Sequence, residues 1–93
     1  AAKQGHAKAQ FNLGWMYGKG KGVPQSDQEA IKWYKLAADQ GHARAQCGLG
    51  VMYHHGRGGL PIDDSEAVRL YKLAAQQGEV WAQSKLKKLG QTW

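Results

Sequence analysis

Cysteine, acidic side chains and long apolar runs are all scarce in this chain of 93 residues. The one cysteine, Cys47, has no partner for an internal disulfide, and a lone thiol suits a reducing compartment. No stretch approaches the ~18 consecutive apolar residues of a membrane-spanning helix, so no membrane partner is expected. Seven Asp and Glu stand against thirteen Lys and Arg, a formal net charge of +6. Two accounts fit that excess: ordinary solvated Lys and Arg, or a preference for acidic partners. Apolar residues make up 42% and charged ones 22%, which excludes a disordered class. The length allows one domain at most, burying roughly 60–65% of its unfolded surface.

Several chemistries are missing too. There is no G-x-x-x-x-G-K-[ST] loop, and the glycine-rich runs at 18–22 and 56–59 join helices and follow no strand, so they read as turns and not as phosphate cradles. His54 and His55 are adjacent, and adjacent helical residues point about 100° apart, a poor arrangement for sharing one ion. No Cys, Asp or Glu stands at ligand spacing to complete a metal site. No metal and no other cofactor is implied. Asp63, Asp64 and Glu66 open a helix, where the backbone dipole favours carboxylates, and form no acid–base pair. One enzymatic alternative stays open, a Cys47–His site assembled in space. Against it, Cys47 takes the place that Phe11 holds in an equivalent segment, which suits a packing role. A basic nucleic-acid surface is the weakest alternative, because most aromatics fall on core positions and no nucleic-acid motif is present.

What the chain has is repetition. Gly41-His42-Ala43-Arg44-Ala45-Gln46-Cys47-Gly48-Leu49-Gly50-Val51-Met52-Tyr53 copies Gly5-His6-Ala7-Lys8-Ala9-Gln10-Phe11-Asn12-Leu13-Gly14-Trp15-Met16-Tyr17 at a spacing of 36 residues. A worn third copy begins at Gly78, 37 residues further on. A fixed period of this size marks a solenoid of stacked units, and such arrays offer surfaces more often than catalytic centres. Within the first copy Ala9, Leu13, Met16 and Tyr17 make one helical face over 6–18. The run Gly18-Lys19-Gly20-Lys21-Gly22-Val23-Pro24 ends that helix. Ser26 with Glu29 fits a capping box, and Ala30, Trp33, Tyr34 and Ala37 form the stripe of a second helix that Gly41 terminates. The second copy uses the same grammar: helix 42–54, a loop with one added glycine, a capping box at Asp63 and Glu66, the stripe Ala67, Leu70, Tyr71, Ala74 and Ala75, and a stop at Gly78. Helix 79–89 closes the chain. It carries Lys85 and Lys87 where its sister has Gly48 and Gly50. Mid-helix glycine costs about 1 kcal/mol, so the glycines point to close helix–helix approach. Lysines in their place point to an uncovered outer face, as on a terminal capping element.

The expected fold is therefore all-α, an α–α superhelix of antiparallel helix pairs with about five helices. Residues 1–93 form a single solenoid unit, with repeats at about 5–40 and 41–77 and a terminal capping helix at 79–89. Because Ala1-Ala2-Lys3-Gln4-Gly5 matches Ala37-Ala38-Asp39-Gln40-Gly41, the chain is expected to begin mid-repeat, as a fragment.

The pattern Gly41-His42-Ala43-x-Ala45-Gln46-x-x-Leu49-Gly50-x-Met52-Tyr53, then Gly56-x-Gly58, Pro61 and Ala67-x-x-x-Tyr71-x-x-Ala74-Ala75-x-x-Gly78, resembles the Sel-one-like repeat family, relatives of the tetratricopeptide repeat. The resemblance implies antiparallel helix pairs and an adaptor or scaffold function with no catalytic residues. It also implies that the first helix of each pair lines a concave side. Spacing places Lys8, Asn12, Trp15 and Lys19 on that face in the first unit. Arg44, Gly48, Val51 and His55 follow in the second, then Trp81, Lys85 and Lys88 in the last helix. The face holds two tryptophans, five fixed cations and no acid, which suits a protein or peptide partner, acidic or bearing an aromatic group. The competing account is that Trp15 and Trp81 pack between repeats and the lysines only solvate the surface. A second contact is expected at the flank of the first helix, near Ala2, Ala9 and Leu13, by self-association through an open apolar end.

Overall fold

The computed structural model describes the backbone of residues 2–93 and the side chains of residues 6–93. Among the described residues the fold is helical throughout: α1 (Ala2–Lys19), α2 (Asp27–Asp39), α3 (Ala43–His55), a single 3-10 turn (Arg57–Gly59), α4 (Asp64–Gln76) and α5 (Val80–Lys88). Each helix packs on its sequence neighbours, α1 on α2 and α3 on α4 most extensively, with α2–α3 and α4–α5 joining the pairs. The molecule measures 36 × 33 × 18 Å. The thin dimension is about two helix diameters, so the helices form a double layer.

The helix ends follow from the residues that stop them. Gly41 and Gly78 adopt φ of +86° and +90°, a region costly for any residue with a Cβ. At each the chain closes a Schellman turn. Gly41 and His42 donate to the carbonyls of Ala38 and Ala37, and Gly78 and Glu79 donate to those of Ala75 and Ala74. Ser26 Oγ accepts from the Glu29 amide and Asp63 Oδ1 from the Glu66 amide. The reciprocal half of the expected capping box is absent for a definite reason. The Ser26 and Asp63 amides are already used, donating to the carbonyls of Tyr17 and Tyr53 at the ends of the preceding helices. His42 caps α3 through Nδ1, which accepts from the Ala45 amide at 3.2 Å. His6, its counterpart by period, lies inside α1, because that helix runs through Gly5.

Close packing rests on small residues. Among the described residues nine of the seventeen buried apolar side chains are alanine, which lets helix axes approach. Gly14 and Gly50 let them approach further: the tyrosine of the partner helix, Tyr34 or Tyr71, lies directly over each glycine. Leu49, Met52, Tyr34, Ile31 and Leu70 join the first pair to the second in one cluster, while Cys47, Tyr71, Ala82 and Leu86 join α3 and α4 to α5. Gln10, Gln46 and Gln83, identical by period, tie the repeats together. Gln46 donates to Ala38 O across α2–α3 and Gln83 to Ala75 O across α4–α5. Gln10 and Gln46 each accept from the glutamine at the end of the paired helix, Gln40 and Gln77.

The structure departs from the expected stripe at two places. Trp33 is half-buried, not core. Ala9 is exposed and Leu13 only half-buried, whereas their counterparts Ala45 and Leu49 are 0% and 6% exposed. The difference is the neighbour: α3 has α2 against that flank, and among the described residues nothing covers the same flank of α1. Ala2, also expected there, has its side chain outside the described residues.

Candidate partner-binding groove

Side chains of α1, α3 and α5 enclose a groove of about 460 Å³. It brings together Trp15 and Lys19 from α1, Gly48 and Val51 from α3, and Trp81, Lys85 and Lys88 from α5. All seven were expected on this face. Trp15 is 38% and Trp81 67% exposed, so both indoles present apolar surface to solvent and do not pack fully between repeats. Lys21 holds its ammonium 5.6 Å from the Trp15 ring, a cation–π arrangement.

The remaining expected residues lie elsewhere. Lys8 borders a separate depression with His42, Gly41 and Gln77. Arg44 turns to Glu79, 3.6 Å away. They share one register position, a turn N-terminal to Asn12 and Gly48, and neither lines the groove. Asn12 is exposed but does not line it. His55 lines a small hollow beside it, edge-on to His54 at 4.9 Å between centroids, and Lys85 and Lys88 border both cavities.

Sequence reasoning missed six contributors: Gly18, Tyr34, Cys47, Met52, Arg57 and Ser84. Tyr34 and Met52 read as core because their spacing is core spacing, and both are indeed buried. They form the floor. Arg57 read only as part of a turn. Its guanidinium reaches 30 residues back to Asp27, with Nη2 2.9 Å from Oδ1, and borders the groove. The signal was present, since Arg57 occupies the loop position of Lys21 in the first repeat and both carry a cation. Asp27 and Glu79 are the acids paired with cations of this face or its neighbouring loop, with Arg57 and Arg44 respectively, and neither lines the groove.

Cys47 lines the floor but is only 1% exposed. Burial, then the nearby Glu79 charge, push its thiol up to about 11. Among the described residues no histidine hydrogen-bonds to it. A thiol so protonated near neutrality is a poor nucleophile, and its surroundings, Ala67, Ala74, Ala82 and Leu86, are apolar. Among the described residues no three His, Cys, Asp or Glu side chains converge to hold a metal, and no helix is long and apolar enough to cross a membrane.

The Sel1 repeat model matches residues 7–42 and 43–79. No curated protein matches the sequence. Solved structures do. A protective antigen present in uropathogenic Escherichia coli strains, displaying an SLR fold, is 45% identical over 91% of this chain, with a TM-score of 0.82. A Sel1 repeat protein from Oxalobacter formigenes is 40% identical over 89%, with a TM-score of 0.84. The chain spans 18% and 34% of the lengths of these two proteins. With the family pattern matched twice in tandem and the helical solenoid shared with both structures, the chain belongs to the Sel1 repeat family.

Proposed function

We propose that this chain is a protein-interaction module whose α1–α3–α5 groove binds an acidic segment of a partner protein. Sel1 repeats are in general interaction scaffolds and typically non-catalytic. The observation that carries the finer reading is the composition of the groove. Two partly exposed indoles stand beside Lys19, Lys85 and Lys88, and among the described residues none of these lysines has an acidic partner. Exposed Trp with neighbouring cations is the composition of interface hot spots, and clustered like charge steers an oppositely charged partner.

The test is titration of a capped peptide of alternating Asp and Glu, followed through the fluorescence of Trp15 and Trp81. Binding that weakens as salt rises, and that is lost in the Lys19→Glu, Lys85→Glu double variant, is the expected result. Binding unchanged by that double variant refutes the groove. Arg44→Glu and Lys8→Glu serve as controls, since neither residue lines it.

A second contact surface is supported by the flank of α1. Ala9 and Leu13 repeat the residues that α3 buries against α2, yet they meet solvent. On this reading the flank takes another helix, supplied by a second copy of this chain. Light scattering that reports a monomer at millimolar concentration argues against it.

A further inference from the structure

Among the residues whose side chains are described, four glycines sit inside the first and third helices, Gly14, Gly18, Gly48 and Gly50, and close packing demands glycine at only two. A Cβ at Gly14 would lie 2.7 Å from the Tyr34 ring, and one at Gly50 2.8 Å from the Tyr71 ring. Those positions exclude a side chain. A Cβ at Gly48 would meet Tyr34 at 3.4 Å, an ordinary contact, and Gly48 has no positive φ. The same register position carries Asn12 in α1 and Lys85 in α5, so the helix accepts larger residues there. Glycine in mid-helix costs about 1 kcal/mol relative to alanine. The fold gains nothing from Gly48.

The missing side chain opens the groove floor onto the ring of Tyr34, with Trp15 to one side and Trp81 to the other. We infer that Gly48 creates an anchor pocket for one large aromatic side chain of an acidic peptide. An aromatic group placed there meets three ring systems, with offset-stacked or edge-on geometry available to each. Carboxylates on either side of the anchor meet Lys19 at one end and Lys85 and Lys88 at the other. The inference rests on the groove reading above and adds where its selectivity resides.

Two labelled, capped peptides test it, Asp-Glu-Asp-Trp-Asp-Glu-Asp and the same sequence with Ala at the centre, with binding read by fluorescence anisotropy. The wild-type chain is expected to favour the Trp peptide by about tenfold, the scale of one interface anchor. Gly48→Leu fills the pocket and is expected to bind both peptides equally, at the strength of the Ala peptide. Gly48→Ala, which the packing accommodates, lowers the preference in part and stands in if the leucine variant fails to fold. A full Trp preference in the folded Gly48 variants overturns the anchor pocket. If the Lys19→Glu, Lys85→Glu variant still loses both peptides, the groove reading survives that failure. If the charge variant binds both peptides as wild type does, the groove itself is wrong. No binding of either peptide by the wild-type chain overturns both.

Discussion

Replacing Gly50 by alanine isolates the contact that sets the spacing of the second helix pair. The added methyl would lie 2.8 Å from Tyr71 Cε1, 3.0 Å from Cδ1 and 3.3 Å from the Ala67 carbonyl. Tyr71 is 1% exposed and held by Cys47, Ala74 and Ala82, with only the small hollow at His54 and His55 beside it, and the Ala67 carbonyl belongs to the backbone of α4 and cannot swing aside. Relief therefore requires α3 and α4 to move apart. Overpacking of this kind costs typically 1–3 kcal/mol, and the rigidity of both obstacles places Gly50→Ala at the upper end, ~2–3 kcal/mol. Alanine returns about 1 kcal/mol through helix propensity. The net loss is about 1–2 kcal/mol, which in a domain of this size lowers the melting temperature by roughly 5–15 °C.

Gly14→Ala and Gly48→Ala complete a graded series read by thermal melts in far-ultraviolet circular dichroism. The clash at Gly14 is as close, 2.7 Å from Tyr34 and 3.2 Å from the Ala30 carbonyl, but Tyr34 borders the larger groove and its ring has more room to move, so the loss is smaller than at Gly50. At Gly48 the methyl fits, and the propensity gain of up to about 1 kcal/mol raises the melting temperature. The expected order is Gly48→Ala, then wild type, then Gly14→Ala, then Gly50→Ala. A Gly50→Ala chain as stable as wild type, or a Gly48→Ala chain destabilised as far as Gly50→Ala, refutes the division of these glycines into packing and groove positions.

Three other outcomes follow from the same contacts. His42 caps α3 through an unprotonated Nδ1, and burial, then the Arg44 charge, hold its pKa below the usual 6.5; the unfolded chain takes up that proton more readily, so this contribution is whole above about pH 6.5 and is lost as pH falls through the lower folded-state value. His42→Asn keeps a cap acceptor and flattens that part of the urea-midpoint profile, and a profile as steep as wild type rules the mechanism out. Cys47, with its thiol up to about 11, reacts with a disulfide reagent at neutral pH orders of magnitude more slowly in the folded chain than in urea; comparable rates would mean that α3 and α5 do not bury it. Gln46→Leu removes the acceptor of Gln77 and the donor to Ala38 O and lowers stability by about 1–3 kcal/mol, whereas an unchanged chemical-denaturation midpoint would show that the glutamine bridges contribute nothing net.

Much of the fold was legible because its determinants are local. Gly41 and Gly78 announce left-handed turns, Ser26 and Asp63 announce helix starts, and the period carries each assignment from one copy to the next. What was not legible depends on reach and on direction. Lys8 and Arg44 share a register position with Trp81, yet neither cation lines the groove and the indole does. Arg57 belongs to a turn by sequence and to the groove by the length of its side chain and its pairing with Asp27. Tyr34 is a core residue by spacing, and only the stacked helices reveal that one of its surroundings is an open groove. Gly48 and Gly50 are the same letter two positions apart. Their different roles become visible only when a tyrosine is found over one at 2.8 Å and over the other at 3.4 Å.

The three copies inside this chain also separate what the fold needs from what it leaves free. Three positions facing the preceding helix are identical in all three: Ala9, Ala45 and Ala82; Gln10, Gln46 and Gln83; Leu13, Leu49 and Leu86. Those of the second and third copies are buried or partly buried against the preceding helix, by the same contacts each time. The groove-facing positions differ in every copy: Asn12, Gly48 and Lys85; Trp15, Val51 and Lys88. If those side chains held the repeats together, equivalent neighbours would call for equivalent residues, as they do at these three packed positions. The variation falls where stacking makes no demand, so the residues there are free to answer to something outside the solenoid. Ala9 and Leu13 keep the packing identities of α3 and α5, yet Ala9 is exposed and Leu13 only half-buried, and the proposed second contact surface rests on that mismatch.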